Sequence, residues 1–209
     1  MAVSRGQALL LLAAVTAVLL GISGWKPYDR ATWCMEVAPI VIAFPILWAT
    51  YQRAPLTTLV YLLICMHAIV LMVGGAYTYA RVPVGAYVQD YFHLSRNPYD
   101  KLGHLVQGFV PAMIAREIFI RQKVINGARM RAFLVICVVL AISATYEFLE
   151  WGAALAMGQG ADEFLGLQGD EWDTQSDMFS ALIGAIAALL LLSSLHDRQL
   201  RSVRGSVPG

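Results

Sequence analysis

Long apolar runs separated by short polar segments dominate the chain. A helix needs roughly 17 to 25 mostly apolar residues to cross about 30 Å of hydrocarbon. Six windows meet this requirement: Gln7 to Ser23, Trp33 to Thr50, Leu56 to Tyr77, His104 to Ile120, Arg131 to Trp151 and Thr174 to Leu195. The pattern predicts an all-α, polytopic transmembrane helical bundle of about six spans, forming a single integral membrane domain over residues 1–209.

Composition supports a membrane protein. The chain is 58% hydrophobic and 14% charged, whereas soluble domains carry about 25% charged residues. A net charge of +1 without a basic stripe predicts membrane lipid rather than nucleic acid as the partner. The three cysteines lie singly in apolar runs, so neither a thiolate metal site nor a disulfide framework is expected. The first window lacks a clear signal-peptide cleavage site, and we interpret it as a retained span.

The distribution of Lys and Arg predicts the orientation, because cytoplasmic loops are enriched in both. With a cytoplasmic N-terminus, nine basic residues lie inside: Arg5, Arg53, Arg121, Lys123, Arg129, Arg131, Arg198, Arg201 and Arg204. Five lie outside: Lys26, Arg30, Arg81, Arg96 and Lys101. The segment 152–173 has neither Lys nor Arg. Both termini are therefore predicted to be cytoplasmic, and this acidic segment is predicted to face outward.

In this topology three helix ends meet at the outer face and bring polar residues together. Asp100, His104 and Gln107 recur at i, i+4 and i+7, which is one helical face if the helix starts near Tyr99. Glu147 and Glu150 come at the predicted end of the fifth span, and Asp173 and Asp177 at the start of the sixth. The sequence predicts one cluster that contains an imidazole and several carboxylates.

The individual residues also have structural interpretations. Asp173 could simply cap its helix. Glu147 and Glu150 could form a solvated helix end or an ion pair with Lys101, although carboxylates at a helix C-terminus oppose the macrodipole and need another reason to be there.

Two further polar positions are interpreted separately. Glu36, in the outer half of the second span, could join the cluster. Arg116 and Glu117 lie toward the cytoplasmic end of their helix, about 18 Å from His104 at 1.5 Å per residue. Snorkelling or an ion pair would explain them there.

The cluster supports two classes of function. His104 with Glu147, Glu150, Asp173 and Asp177 could supply a general acid and base, or hold a divalent metal ion, in an enzyme acting on an envelope lipid or a lipid-linked precursor. Asp100, Lys101, Gln107 and Glu36 would support it. Alternatively, the chain is a small transporter or channel, a module that binds cations or head groups, or a structural partner of an envelope complex. The absence of an HExxH, nucleophile-elbow or P-loop motif leaves the reaction class open.

Three segments resemble a known family: YDKLGHLVQGFVPAMIAREIFIR, ATYEFLEW and DEFLGLQGDEWDTQSDMFSALIGA. They are similar to the YjdF family of uncharacterised bacterial inner-membrane proteins. More distantly, Asp100, Lys101 and His104, followed by E-x-x-E, resemble VanZ-like membrane proteins, which are linked to glycopeptide resistance and the envelope. Glu150 stands where a Gln is common in that group, and Ala181 where an Asn is expected. Both resemblances imply a multi-pass protein of the bacterial cytoplasmic membrane with an outward-facing polar cluster, and neither implies an established reaction.

Overall fold

A computed structural model describes residues 4–157 and 168–204. Within these residues the chain is helical and has no strand. The helices are α1 (Arg5–Ser23), α2 (Arg30–Thr50), α3 (Thr58–Tyr77), α4 (Pro83–Phe92), α5 (Tyr99–Arg121), α6 (Ala128–Met157) and α7 (Asp173–Arg204). The chain divides into two compact units, of which the first comprises residues 1–55 and 61–99 and the second residues 56–60 and 100–209.

Five helices, α1, α2, α3, α6 and α7, are long and apolar enough to cross a membrane. They correspond to five of the six predicted spans, and α2 and α5 continue through their prolines as helices. The remaining window, His104 to Ile120, lies within α5. This helix carries charged residues in both its first and its last turns, and it buries Arg116 and Glu117 inside the second unit. The exact number of spans and the cytoplasmic termini remain predictions.

Two observed elements differ from the predicted pattern. The short helix α4 lies in a segment to which no element was assigned, because ten residues are too few to register as a span. Helix α6 runs on to Met157, so Glu147 and Glu150 lie in the helix rather than at its C-terminus. The expectation of a helix end there was wrong, because the small and apolar residues of the segment 152–157 continue the helix. The two glutamates therefore do not lie against the negative end of the helix dipole.

In the first unit, α2 and α3 pack through Val37, Ile40, Ala68, Leu71 and Met72. After α3 the chain turns back through Thr78 and Tyr79, both with positive φ. The Tyr79 hydroxyl donates to Glu36 Oε2 at 2.8 Å. A Cβ on Gly74 would overlap the Tyr79 ring, so the glycine lets this side chain fold back over α3. Glu36 thus has a hydrogen-bond partner within its own unit, and its membership of the polar cluster remains a prediction.

Asp29 caps the start of α2 and gives a first test of local structure. Its carboxylate accepts from the Thr32 backbone N–H at 2.7 Å and from the Thr32 hydroxyl at 2.9 Å. The backbone hydrogen bond from Thr32 lowers the pKa of Asp29 below its ordinary value. The contribution of this cap to stability is therefore present above the ordinary Asp pKa and is lost as the pH falls through the lowered value.

We expect Asp29→Ala to reduce the free energy of unfolding by about 0.5–1 kcal/mol at neutral pH, because an exposed N-cap lies at the low end of the usual range. Titration with sodium dodecyl sulfate in dodecyl maltoside micelles would measure it. Asp29→Asn keeps a capping oxygen and should lie close to wild type. Equal losses in the two variants would contradict the capping role.

Candidate functional site

Three helices of the second unit carry the predicted cluster. Helix α5 contributes Asp100, Lys101, His104 and Gln107, α6 contributes Glu147 and Glu150, and α7 contributes Asp173 and Asp177. The helix α5 begins at Tyr99, so its polar stripe starts in the first turn as the spacing required. Four carboxylates, those of Asp100, Glu147, Asp173 and Asp177, are buried together with His104. Glu150 is half-buried, one turn beyond Glu147.

Close packing of α5 against α7 brings the two stripes together. A Cβ on Gly108 would overlap the Ala181 carbonyl, and a Cβ on Gly184 would overlap the Leu105 carbonyl. Small residues of this kind allow helix backbones in membranes to approach each other. His104 lies one turn before Gly108, and Asp177 lies one turn before Ala181. The packing of the glycines therefore determines the separation between the imidazole and the α7 carboxylates.

His104 presents one ring nitrogen to a side-chain amide and the other to two carboxylates. Its Nδ1 lies 3.0 Å from Gln107 Oε1. Because an amide oxygen only accepts, Nδ1 carries a proton and donates to it. Nε2 lies 3.6 Å from Asp100 Oδ1 and 3.8 Å from Asp177 Oδ2, longer than the usual 2.7–3.2 Å of a hydrogen bond. His104 Nε2 therefore faces one oxygen of each aspartate beyond hydrogen-bond distance.

Lys101 neutralises part of the cluster. Its ammonium lies 2.8 Å from Asp173 Oδ1 and 2.7 Å from Asp177 Oδ1, and 3.9 Å from Asp100 Oδ2. Asp177 therefore bonds to Lys101 through one oxygen and turns the other toward His104. Counting these six groups alone, the four ionised carboxylates, Lys101 and a protonated His104 sum to a net charge of −2. Buried charges are costly unless they are compensated, so the cluster favours protons or a bound cation.

Asp100, His104 and Asp177 have the donor types and spacing of a metal site. One ligand atom from each lies within 4.8 Å of the others. Ligands about 2.1 Å from a metal, as is typical for His and Asp on zinc, would lie roughly 3.6 Å apart at an angle of about 120°. The two distances from Nε2, 3.6 and 3.8 Å, lie near this value and above the roughly 3.4 Å of a tetrahedral pair. The hydrogen bond from Nδ1 to Gln107 is also the kind of outer interaction that orients a metal-binding histidine.

Glu147 adds a further acceptor at the edge of this group. Its Oε1 is buried, has no hydrogen-bond partner and lies 4.0 Å from His104 Nδ1. Tyr146, on the preceding position of α6, holds its ring edge-on to the imidazole with the ring centroids 6.5 Å apart. Tyr146 was not among the residues predicted for the site, since aromatic residues are common in membrane spans. Asp100, expected only in support, is one of the three residues with metal-ligand spacing.

The second unit contains another buried polar network, which the sequence analysis did not predict. Glu117 Oε2 lies 2.9 Å from His196 Nε2 and 2.7 Å from the Thr57 hydroxyl. Arg116 contacts His196 Nδ1 at 2.9 Å and Asp197 Oδ1 at 2.8 Å. Arg116 and Glu117 were expected to snorkel or to form an ion pair. Both are in fact buried, and their ion pairs are to Asp197 and to Arg121. The signal in the sequence was the adjacent pair of charges inside an apolar helix, but Thr57 and His196 carry no comparable signal.

Comparison with known proteins assigns the family. The model of the family described as predicted membrane protein (DUF2238) matches residues 8–198. Inner membrane protein YjdF of Escherichia coli (strain K12) is 60% identical over 190 residues, which cover 90% of this chain and 91% of that protein. No solved structure matches the chain. The resemblance to the YjdF family is confirmed, as is the prediction of a multi-pass inner-membrane protein. The more distant resemblance to VanZ-like proteins remains a prediction.

Proposed function

We propose that this chain, which belongs to the DUF2238 family of predicted membrane proteins, binds a divalent cation within the inner membrane, near its periplasmic face. The ligands would be Asp100, His104 and Asp177. The observation that carries the proposal is the pair of distances from His104 Nε2 to the two aspartates, 3.6 and 3.8 Å. They are too long for good hydrogen bonds and suit ligands that share an ion. The excess of buried carboxylates and the unpartnered Glu147 Oε1 support the same reading.

The donor set narrows the choice of ion. Ca²⁺ and Mg²⁺ prefer ligand sets made of oxygen alone, whereas an imidazole with two carboxylates suits Zn²⁺, Mn²⁺ or Fe²⁺. A bound ion of this kind would polarise a phosphoryl or carbonyl oxygen, or would lower the pKa of a coordinated water. Gln107 would orient His104, and Lys101 would hold Asp177 in place through its other oxygen. Glu147, whose free Oε1 lies on the Nδ1 side of His104, is the candidate general base.

The location of the site suggests the class of substrate. Lys and Arg are more numerous on the predicted cytoplasmic side, and none occurs in the segment 152–173 next to the cluster. The cluster would then face the periplasm, where envelope lipids and lipid-linked precursors are accessible and cytosolic nucleotides are not. We therefore propose a metal-assisted reaction on an envelope lipid or a lipid-linked precursor.

One observation favours a different, non-catalytic role. Lys101 already bridges Asp173 and Asp177 with two short ion pairs, which join the first turns of α5 and α7. A cluster neutralised in this way could serve helix packing, or could collect cations or cationic head groups without any reaction. The two readings differ in whether an ion binds at stoichiometric level and whether any product depends on it.

Element-resolved metal analysis of detergent-purified protein separates these readings. After chelation and reloading with Zn²⁺ or Mn²⁺, we expect about one ion per wild-type chain, the capacity of a single three-ligand site. Asp100→Asn combined with His104→Gln should bind almost none. The control is Glu171→Gln, which removes an exposed carboxylate and should keep the ion. Equal metal in all three proteins, or none in a monodisperse wild type, would overturn the metal site.

A second measurement addresses the reaction. The metal-loaded protein would be incubated with vesicles of phosphatidylethanolamine, phosphatidylglycerol and undecaprenyl phosphates, and the lipids would be examined by mass spectrometry. A product that forms with wild type and is absent with Glu147→Gln, which should retain the ion, supports catalysis. Stoichiometric metal without any product would support a cation-binding role instead.

A further inference from the structure

The short helix α4 carries an apolar stripe on its surface. Val84, Tyr87, Val88 and Tyr91 recur at i, i+3, i+4 and i+7 and therefore share one face. Tyr87 is 70% exposed and Tyr91 is 67% exposed. The two rings stack with centroids 6.4 Å apart, and Phe92 meets Tyr91 edge-on. A solvated helix would not ordinarily present so much aromatic surface at adjacent positions.

The buried side of α4, which carries Gly85, determines how the helix is rotated about its axis. Gly85 is buried against Asn97, and a Cβ there would overlap the Asn97 side chain. Asn97 also donates to the carbonyls of Ala80 and Val82 at 3.2 and 3.1 Å and accepts from the Tyr99 N–H at 3.0 Å. These contacts hold the start of α4 against the segment 97–99 of the same unit and leave the tyrosine stripe exposed. Asp90 is exposed and lies about 110° around the helix axis from the centre of the stripe, at 100° per residue.

The depth of α4 follows from its attachment to α3. Val82, immediately before α4, packs with Tyr79 and Tyr99 against Val70 and Val73, and the Tyr99 hydroxyl donates to the Val70 carbonyl at 3.2 Å. Val70 lies seven residues before the end of α3, about 10 Å along the axis at 1.5 Å per residue. Because α3 is long and apolar enough to span the membrane, these contacts place the start of α4 within about 10 Å of the end of that span.

We infer that α4 is an interfacial helix, whose stripe of Val84, Tyr87, Val88 and Tyr91 inserts into the boundary between lipid head groups and acyl chains on the side where α3 ends. Tyrosine is enriched at this level because its ring is apolar and its hydroxyl is polar. An amphipathic helix there lies in the membrane plane with its apolar face about 5–10 Å deep. Asp90 would then point toward water. The inference does not depend on the cation site.

Spin-label accessibility provides the test. Single cysteines at Tyr87, Tyr91 and Asp90 would be labelled in a chain whose three native cysteines are replaced, in vesicles of phosphatidylethanolamine and phosphatidylglycerol. We expect labels at 87 and 91 to collide several-fold more often with oxygen than with a water-soluble nickel chelate, at a depth of about 5–10 Å. The Asp90 label is the matched control and should show the reverse.

Several results of the spin-label experiment would overturn the inference. Nickel accessibility at 87 and 91 equal to that at 90 would place α4 in water. Labels inaccessible to both reagents would indicate that protein covers the stripe, and dipolar broadening between labels would identify a second copy.

If the cysteine-free chain does not fold, p-benzoylphenylalanine at Tyr91 in the native chain replaces the label. Photo-adducts of lipid mass at this position, absent when the probe replaces Asp90, support the interfacial helix, and adducts of protein mass or of no partner overturn it.

Discussion

Glu117→Ala is expected to reduce the free energy of unfolding by about 3–5 kcal/mol, the usual cost of removing one partner from a buried ion pair. The Glu117 side chain is fully buried. Its carboxylate accepts from the Thr57 backbone N–H at 2.9 Å and from the Thr57 hydroxyl at 2.7 Å. It also pairs with Arg121 at 2.7 Å. Without it, a helix start, a guanidinium and an imidazole all lose an acceptor.

The network around Glu117 defines the protonation of His196. A guanidinium only donates and a carboxylate only accepts. Because Nδ1 faces Arg116 and Nε2 faces Glu117, each at 2.9 Å, Nδ1 must accept and Nε2 must carry the proton. His196 therefore links the guanidinium of Arg116 to the carboxylate of Glu117. Gln199, three residues after His196, also contacts the start of α3, since its Oε1 accepts from the Leu59 N–H at 2.9 Å.

Detergent titration of purified variants measures the effect of Glu117. Glu117→Gln keeps the shape and one acceptor but loses the charge, so it should fall between wild type and Glu117→Ala. Glu171→Ala removes an exposed glutamate and should change stability by less than about 0.5 kcal/mol. A Glu117→Ala protein as stable as the Glu171→Ala control would contradict the buried network.

Gly108→Ala should destabilise the second unit by up to about 3 kcal/mol, the upper part of the range for overpacking. The added methyl would meet the Ala181 backbone rather than a flexible side chain, so α5 and α7 must move apart. The gain in helix propensity from Gly to Ala, about 1 kcal/mol at most, works in the opposite direction. Since His104 and Asp177 lie one turn away, metal content should fall together with stability.

Gly152→Ala is the matched control, because nothing lies within 4 Å of its added Cβ in α6. It should be neutral or slightly stabilising through helix propensity. The same unfolding titration, with metal analysis on each protein, compares the two substitutions. Gly108→Ala with wild-type stability would show that α5 and α7 are not held at the observed separation.

The hydrophobic pattern predicted most of the secondary structure, and the reason is physical. Apolar runs of span length have few alternatives to a helix in a bilayer, since every backbone group must be satisfied internally. The stripe of Asp100, His104 and Gln107 was predictable because one helix presents residues at i, i+4 and i+7 on one face. Such local patterns predict which residues share a face of one helix, but not which helices contact each other. The end of α6 was misjudged because Glu147 and Glu150 resemble a polar boundary while the residues after them continue the helix.

The sequence by itself determined the membrane class, the family and the set of polar residues available to a site, because burial in lipid constrains composition along the chain directly. Only the tertiary structure decided which of those residues meet. Asp100, His104 and Asp177 approach one another because Gly108 and Gly184 let two backbones pack closely. Thr57, Glu117 and His196 come from segments far apart in sequence. Such pairings depend on helix separation and rotation, which arise from packing between helices and leave no periodic signal within any one of them.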